Sequence, residues 1–190
     1  MVVANTVWAP CYFTGWTAAN HWALTEQVFR TTVLKTTRRV RDSGVRLLDS
    51  DYLLAHVATD AMTWGLSSVW HEEIRLRLAD PARTVVDILD RPSIGGGIRH
   101  AAEIVGAYLD GNDPAQLVTY GDRLGNRAVF KRLGYLLEAL SIDAPELVAA
   151  CHARISAGVA LLDPDGPKDG PRVPRWGIRA NVRVAPESPS

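Results

Sequence analysis

A change of hydrophobic period near residue 80 constrains this fold more than any other feature of the sequence. Before it, apolar residues alternate or cluster in short β-branched runs. "RTTVLKTT" (30–37) alternates and reads as a strand, and "GVRLLDS" and "YLLAHVAT" read as two more. In "SSVWHEEIRLRLAD", Ile74, Leu76 and Leu78 fall on one face and Arg75 and Arg77 on the other, a hairpin pattern. One short helix interrupts this half, at "TGWTAANHWAL" (14–24), with Thr14 available as its cap.

After residue 80 the apolar spacing becomes three or four. In "ADPARTVVDILDRP" Asp80 can cap, Pro81 suits the first helical position, Val85, Val86 and Leu89 supply a buried face, and Pro92 ends the helix. "SIGGGIRHAAEIVGAYL" passes from a glycine run into a second helix, and "DPAQLVTYGDRL" repeats the Asp-Pro start at Asp113 and Pro114. Gly125 is placed to stop that helix and Asn126 to cap the next, which runs to about Leu140. "DAPELVAACHARI" adds another, with Asp143 expected as its cap. "GVALLD" and "RWGIRANVRV" read as late strands on either side of the Pro/Gly-rich loop "PDGPKDGPRVP".

Strands followed by helices predict an α+β fold, a strand-rich N-terminal half packed with a helical C-terminal half and a possible final strand. The expected division is a tail over 1–11, one domain over 12–183 and a disordered tail over 184–190. The 190 residues suffice for a core without staples. No run approaches the roughly 18 apolar residues of a membrane helix, and "MVVANTVWAPCYFTGW" lacks a basic secretory n-region. Cys11 and Cys151 are expected as free, buried thiols of a reducing compartment. The expected location is cytoplasmic, with no membrane partner.

Catalytic signatures are missing from the pattern. His21, His56, His71, His100 and His152 form no metal-binding spacing, and no serine sits in a nucleophile elbow. "IGGGIRH" (94–100) resembles a phosphate-binding loop only in glycine content and reads as a hinge before a helix. Glu72, Glu73, Asp80 and Asp87 are acids of the sort nucleases use for metals, yet capping and solvation account for them. Neither enzyme activity, nor a cofactor, nor a metal site is expected.

The formal charge is +0, so any attraction for an anion must be local. Six cations against one acid, Asp42, occupy residues 30–46, with Lys35, Arg38, Arg39 and Arg41 at their centre. In "YGDRLGNRAVFKRLGYLLEAL" (120–140), Val129, Phe130, Leu133, Leu136, Leu137 and Leu140 make one buried stripe. Arg127 and Lys131 share another face, with Arg132 at its edge and Arg123 before the turn; the plain alternative is a solvated face paired with acids such as Asp122. These eight cations are the candidate binding residues for a nucleic acid backbone or an acidic protein face.

Four blocks of the sequence together resemble one known family. "FTGWTAANHWALTEQVFRTTVLKTTRR", "ADPARTVVDILDRPSIGGGIRH", "RLGNRAVFKRLGYLLE" and "WGIRANV" occur in the order found in AbiEi-type antitoxins of type IV toxin–antitoxin systems, and span about 12–182. The resemblance implies an α+β antitoxin domain, not an enzyme, that counters a cognate nucleotidyltransferase-like toxin of the AbiEii type. Members usually carry a preceding winged helix-turn-helix that binds operator DNA. This sequence begins a short way before the first block, so the domain is expected without that module, with operator DNA a second partner through its basic residues. The alternative expectation is an accessory DNA-binding regulator of a defence locus.

Overall fold

The computed structural model describes residues 1–71 and 73–184. Its architecture is α+β, with strands concentrated in the N-terminal half. The chain divides into two units, Met1–Thr84 and Val85–Ser190.

The first unit is a six-stranded mixed sheet with helices α1 (Val2–Trp8) and α2 (Gly15–His21). Its strands are β1 (Cys11–Phe13), β2 (Thr32–Thr36), β3 (Gly44–Leu47), β4 (Ser50–His56), β5 (Leu66–His71) and β6 (Ile74–Ala79), in the order β3-β4-β2-β1-β6-β5. The expected strands are present, and the hairpin read at residues 67–80 is β5–β6, with Trp70 opposite Arg75 and Ser68 opposite Arg77. Alternation decides which face is buried: Phe13, Leu34 and Leu78 lie in adjacent register, and with Tyr52, Leu54 and Leu76 they form the core. Residues 1–11 are not a tail. They hold α1 and the start of β1, with Ala4 buried and Trp8 against the Tyr52 ring at 5.0 Å.

Thr14 precedes α2 without a side-chain cap bond, whereas Asp80 accepts the Arg83 N–H at 2.8 Å as a cap should. Arg83 itself is fully buried. Its guanidinium stacks 3.3 Å from the Trp64 ring centroid and donates to the Tyr12 hydroxyl at 2.8 Å.

The second unit is helical. Helix α3 (Pro81–Asp90) leads into it, followed by α4 (Ile98–Leu109), α5 (Pro114–Leu124), α6 (Ala128–Ala139) and α7 (Pro145–His152). Asp113 caps α5 through the Ala115 N–H at 2.9 Å, and Gly125 ends it with a left-handed φ of 81°. Asn126 accepts the Ala128 N–H at 3.1 Å, but the residue that flanks α6 is Arg127, without a side-chain cap bond, one position after the expected cap. The expected Asp143 cap is not made; α7 starts from Ala144 without a side-chain bond. A small sheet, β7 (Ala160–Leu161), β8 (Arg172–Val173) and β9 (Ile178–Arg179), follows in the order β7-β9-β8. Two of its strands were legible; β8 arises inside the stretch that reads as loop. The tail expected over 184–190 lies outside the described residues from 185 on, and Val184 is buried.

Candidate interaction surface

Three of the eight candidate cations are interior. Lys35 is buried on β2, in register with Tyr12 and Ala55. Lys131 is 3% exposed and its ammonium donates to the Gly158 carbonyl at 2.8 Å. Arg132 is 4% exposed and spreads its guanidinium over four carbonyls: Leu89 at 2.7 Å, Asp90 at 3.1 Å, Leu161 at 3.2 Å and Leu162 at 3.1 Å. Burial pulls the Arg132 pKa below its ordinary value, with Asp90 and Asp163 opposing that shift.

These three positions correct the expectation of outward charge. For Lys131 and Arg132 the cause is local: the end of α3 and the segment 158–162 bring backbone carbonyls beside α6, and the two side chains donate to them. A long cationic side chain satisfies them at less cost than leaving them dry. The apolar stripe of α6 is as read, but its other face is covered as well.

The remaining candidates are at the surface. Arg127 pairs with Asp122 at 2.6 Å, and Arg154 reaches the same carboxylate at 2.7 Å. Slight burial raises the Asp122 pKa, but the hydrogen bonds from Arg154 and Arg127 outweigh it and leave the group below its usual value. The plain alternative for this face, cations matched to nearby acids, therefore describes Arg127. Arg123 is exposed near the end of α5. Arg38, Arg39 and Arg41 are exposed between β2 and β3, where they line a shallow cleft of about 250 Å³ with Trp8, Val40 and Asp42. Arg38 also ties the Ala9 carbonyl through Nε at 2.7 Å. Of the two basic clusters, the one after β2 stays cationic at the surface.

The glycine run before α4 already holds an anion from the chain itself. Gly96 and Gly97 take left-handed φ values of 87° and 92°, and the Asp163 carboxylate accepts the Ile98 N–H at 3.0 Å. Asn181 fixes Asp163 in turn, accepting its N–H at 3.0 Å and donating to its carbonyl at 2.7 Å. The turn is thus a packed joint, neither a phosphate cradle nor a hinge. An open groove of about 760 Å³ beside α5 and α7 is edged by Asp113, Asp143 and Glu146, the wrong sign for an anion.

Cys11 and Cys151 are free and buried. Burial pushes the Cys11 thiol up to about 11 despite Arg77 and Arg38, and the Cys151 thiol up to about 12 despite Arg154. Neither is a nucleophile at neutral pH. Among the described residues no three metal-ligating side chains converge; Glu72, one of the acids weighed for metal, lies outside them. No helix of the described residues is long and apolar enough to cross a membrane.

Sequence reasoning missed Trp70 as a surface group. Its indole is 71% exposed on β5, opposite the exposed Arg75. The alternation of β6 sends Arg75 outward, but only the register across the hairpin shows that Trp70 faces with it.

No protein-family model matches the sequence, and no curated protein matches it. Among solved structures, the chain is similar to the RV2827C protein from Mycobacterium tuberculosis, with a TM-score of 0.65 and 16% identity. The match covers 93% of this chain and 64% of that one, so this chain spans less than two thirds of that protein's length. At this identity the likeness is one of fold.

Proposed function

We propose that this chain is a non-enzymatic AbiEi-type antitoxin domain, counteracting a nucleotidyltransferase-like toxin of the AbiEii type in the cytoplasm. The observation that carries the reading is how the four resembling blocks are used. The first supplies Phe13 of β1 and builds α2 and β2; the second builds α3 and the glycine joint before α4. The third supplies Arg132 and Glu138 of α6, and the fourth supplies Trp176 and Asn181. Within the second unit these residues bond to one another's segments, so the resemblance falls on fold-determining positions rather than on scattered surface.

Co-expression tests this reading. A neighbouring nucleotidyltransferase-like toxin gene is induced with and without this chain, and growth is followed. Restored growth supports the antitoxin function. Continued lethality with the folded chain at full level overturns it.

A second reading, an accessory DNA-binding regulator, draws on the exposed Arg38, Arg39 and Arg41. Replacing all three with Gln lowers affinity for operator DNA and reduces the salt slope by about 0.9 per lost phosphate contact. An unchanged slope removes this reading.

A further inference from the structure

Strand register gathers five arginines at one end of the six-stranded sheet. Cys11 at the start of β1 pairs with Thr36 at the end of β2, and Thr36 pairs with His56 at the end of β4. β6 runs parallel to β1 with Phe13 beside Leu78, so Arg75 and Arg77 begin β6 at that same end. There β5 finishes, with Trp70 paired to Arg75 and His71 to Ile74. Arg38, Arg39 and Arg41 follow β2 at this end. The Cys11 thiol feels both Arg77 and Arg38, which puts one guanidinium near β1 from the β6 side and one from the β2 side.

Trp70, Arg75 and Arg77 share the face of the hairpin opposite to that of buried Leu76 and Leu78. All three are exposed, and Ser68 completes the patch. The indole therefore has guanidinium and hydroxyl neighbours instead of the apolar surround that normally encloses a protein–protein anchor. Arg75 and Arg77 stand two residues apart on one strand, roughly 7 Å, comparable to the separation of successive phosphates along a single nucleic acid strand. Asp42 and Glu73 are also exposed near this end and keep the field moderate. β5 is the outer strand of the sheet, so the platform lies at the sheet's rim.

We propose that this end of the sheet binds single-stranded nucleic acid, with a base stacked on Trp70 and its flanking phosphates held by Arg75 and Arg77; Arg38, Arg39 and Arg41, whose cleft is lined by Thr36, Val45 and Leu54 of the opposite face, add only to the field at this end. An aromatic ring on an open strand surface flanked by arginines suits unpaired bases, whose flat faces are available. A duplex hides those faces and offers only its backbone. The inference does not rest on the antitoxin reading, and failure of toxin rescue leaves it standing.

Fluorescence anisotropy with labelled twelve-nucleotide oligouridylate, oligothymidylate and a mixed-sequence duplex tests it, using the full chain at low salt. Binding of the single strands above the duplex is expected, and the oligouridylate and oligothymidylate arms separate RNA from DNA. Trp70→Ala should weaken binding by about 5- to 100-fold, while Trp70→Phe, which keeps a stacking face, retains most of it. Arg75→Gln and Arg77→Gln should each reduce the log–log salt slope by about 0.7. Circular dichroism confirms folding of each variant. Absent single-strand binding, equal affinity of Trp70→Ala and the parent, or preference for the duplex overturns the proposal. So does Trp70-dependent binding of a labelled polyglutamate peptide in place of the oligonucleotides, which marks a protein-docking face.

Discussion

Trp176 lies against the bare α-carbon of Gly134: a β-carbon built there falls into the indole ring. The same indole donates to the Glu138 carboxylate at 2.6 Å, and Arg175 Nε reaches the other oxygen of Glu138 at 2.8 Å. One turn of α6 thus provides both the flat seat and the polar anchor for the segment after the Pro/Gly-rich loop. Glu138 is the acid that stands alone at the end of the α6 sequence, and this is its use.

Gly134→Ala should therefore destabilise the protein by about 1–3 kcal/mol, although alanine favours a helix by roughly 1 kcal/mol over glycine. Gly106→Ala in α4 is the control. No atom lies within 4 Å of its added carbon, so propensity alone acts and a gain of up to about 1 kcal/mol is expected. Urea midpoints of the two variants should move in opposite directions; equal shifts would show that the indole does not occupy that seat.

Arg132→Met keeps the aliphatic stem but removes every donor from the Leu89, Asp90, Leu161 and Leu162 carbonyls. A loss of about 3 kcal/mol or more is expected, because buried acceptors are left dry. Arg41→Ala, at the surface, should stay within about 0.5 kcal/mol of the parent. Chemical denaturation distinguishes them. An Arg132→Met protein as stable as the parent would mean that these carbonyls reach water.

The contrast between Arg132 and Arg41 also shows what was legible in the sequence. Period was reliable and punctuation in part: the switch near residue 80, the Asp80 and Asp113 caps and the Gly125 stop appear where residue chemistry puts them, whereas the caps expected from Thr14 and Asp143 are not made. Charge was unreliable. A cation reads as outward unless one knows which distant carbonyls will lie beside it, and Leu161 stands 29 residues from Arg132. Lys131 needs Gly158, which is equally remote in sequence. The Trp70 platform escaped for the converse reason. A tryptophan reads as core until the register with Arg75 shows which face it takes. The N-terminal helix was missed because its seven residues carry neither a cap bond nor charged ends.

The β3–β4 connection carries a correctable flaw. Leu48 and Asp49 both take left-handed φ values, 47° and 57°, in a two-residue turn that prefers Asn-Gly. Without that signal, "GVRLLDS" reads as strand through the turn. Replacing the pair, Leu48→Asn with Asp49→Gly, should stabilise the protein by about 1 kcal/mol by relieving backbone strain, and it removes an exposed leucine. Thermal unfolding checks this, and an unchanged or lowered midpoint would count against the turn.

Asp122 supplies a pH signature for the pairing that occupies Arg127. Its folded pKa is depressed, since the hydrogen bonds from Arg154 and Arg127 exceed the opposing effect of slight burial. A depressed carboxylate contributes stability above its unfolded pKa, about 3.9, and loses it as pH falls from there through the folded value. The side chains are 32–42% exposed, so solvent screening keeps the contribution below about 1 kcal/mol. Asp122→Asn should thus lower stability slightly at pH 7, by an amount that shrinks in 1 M salt and as pH falls below about 3.9. Parallel urea titrations of parent and variant at pH 7 and pH 2 measure it. A difference that persists undiminished at pH 2 would assign the effect to packing and release Arg127 from its pair.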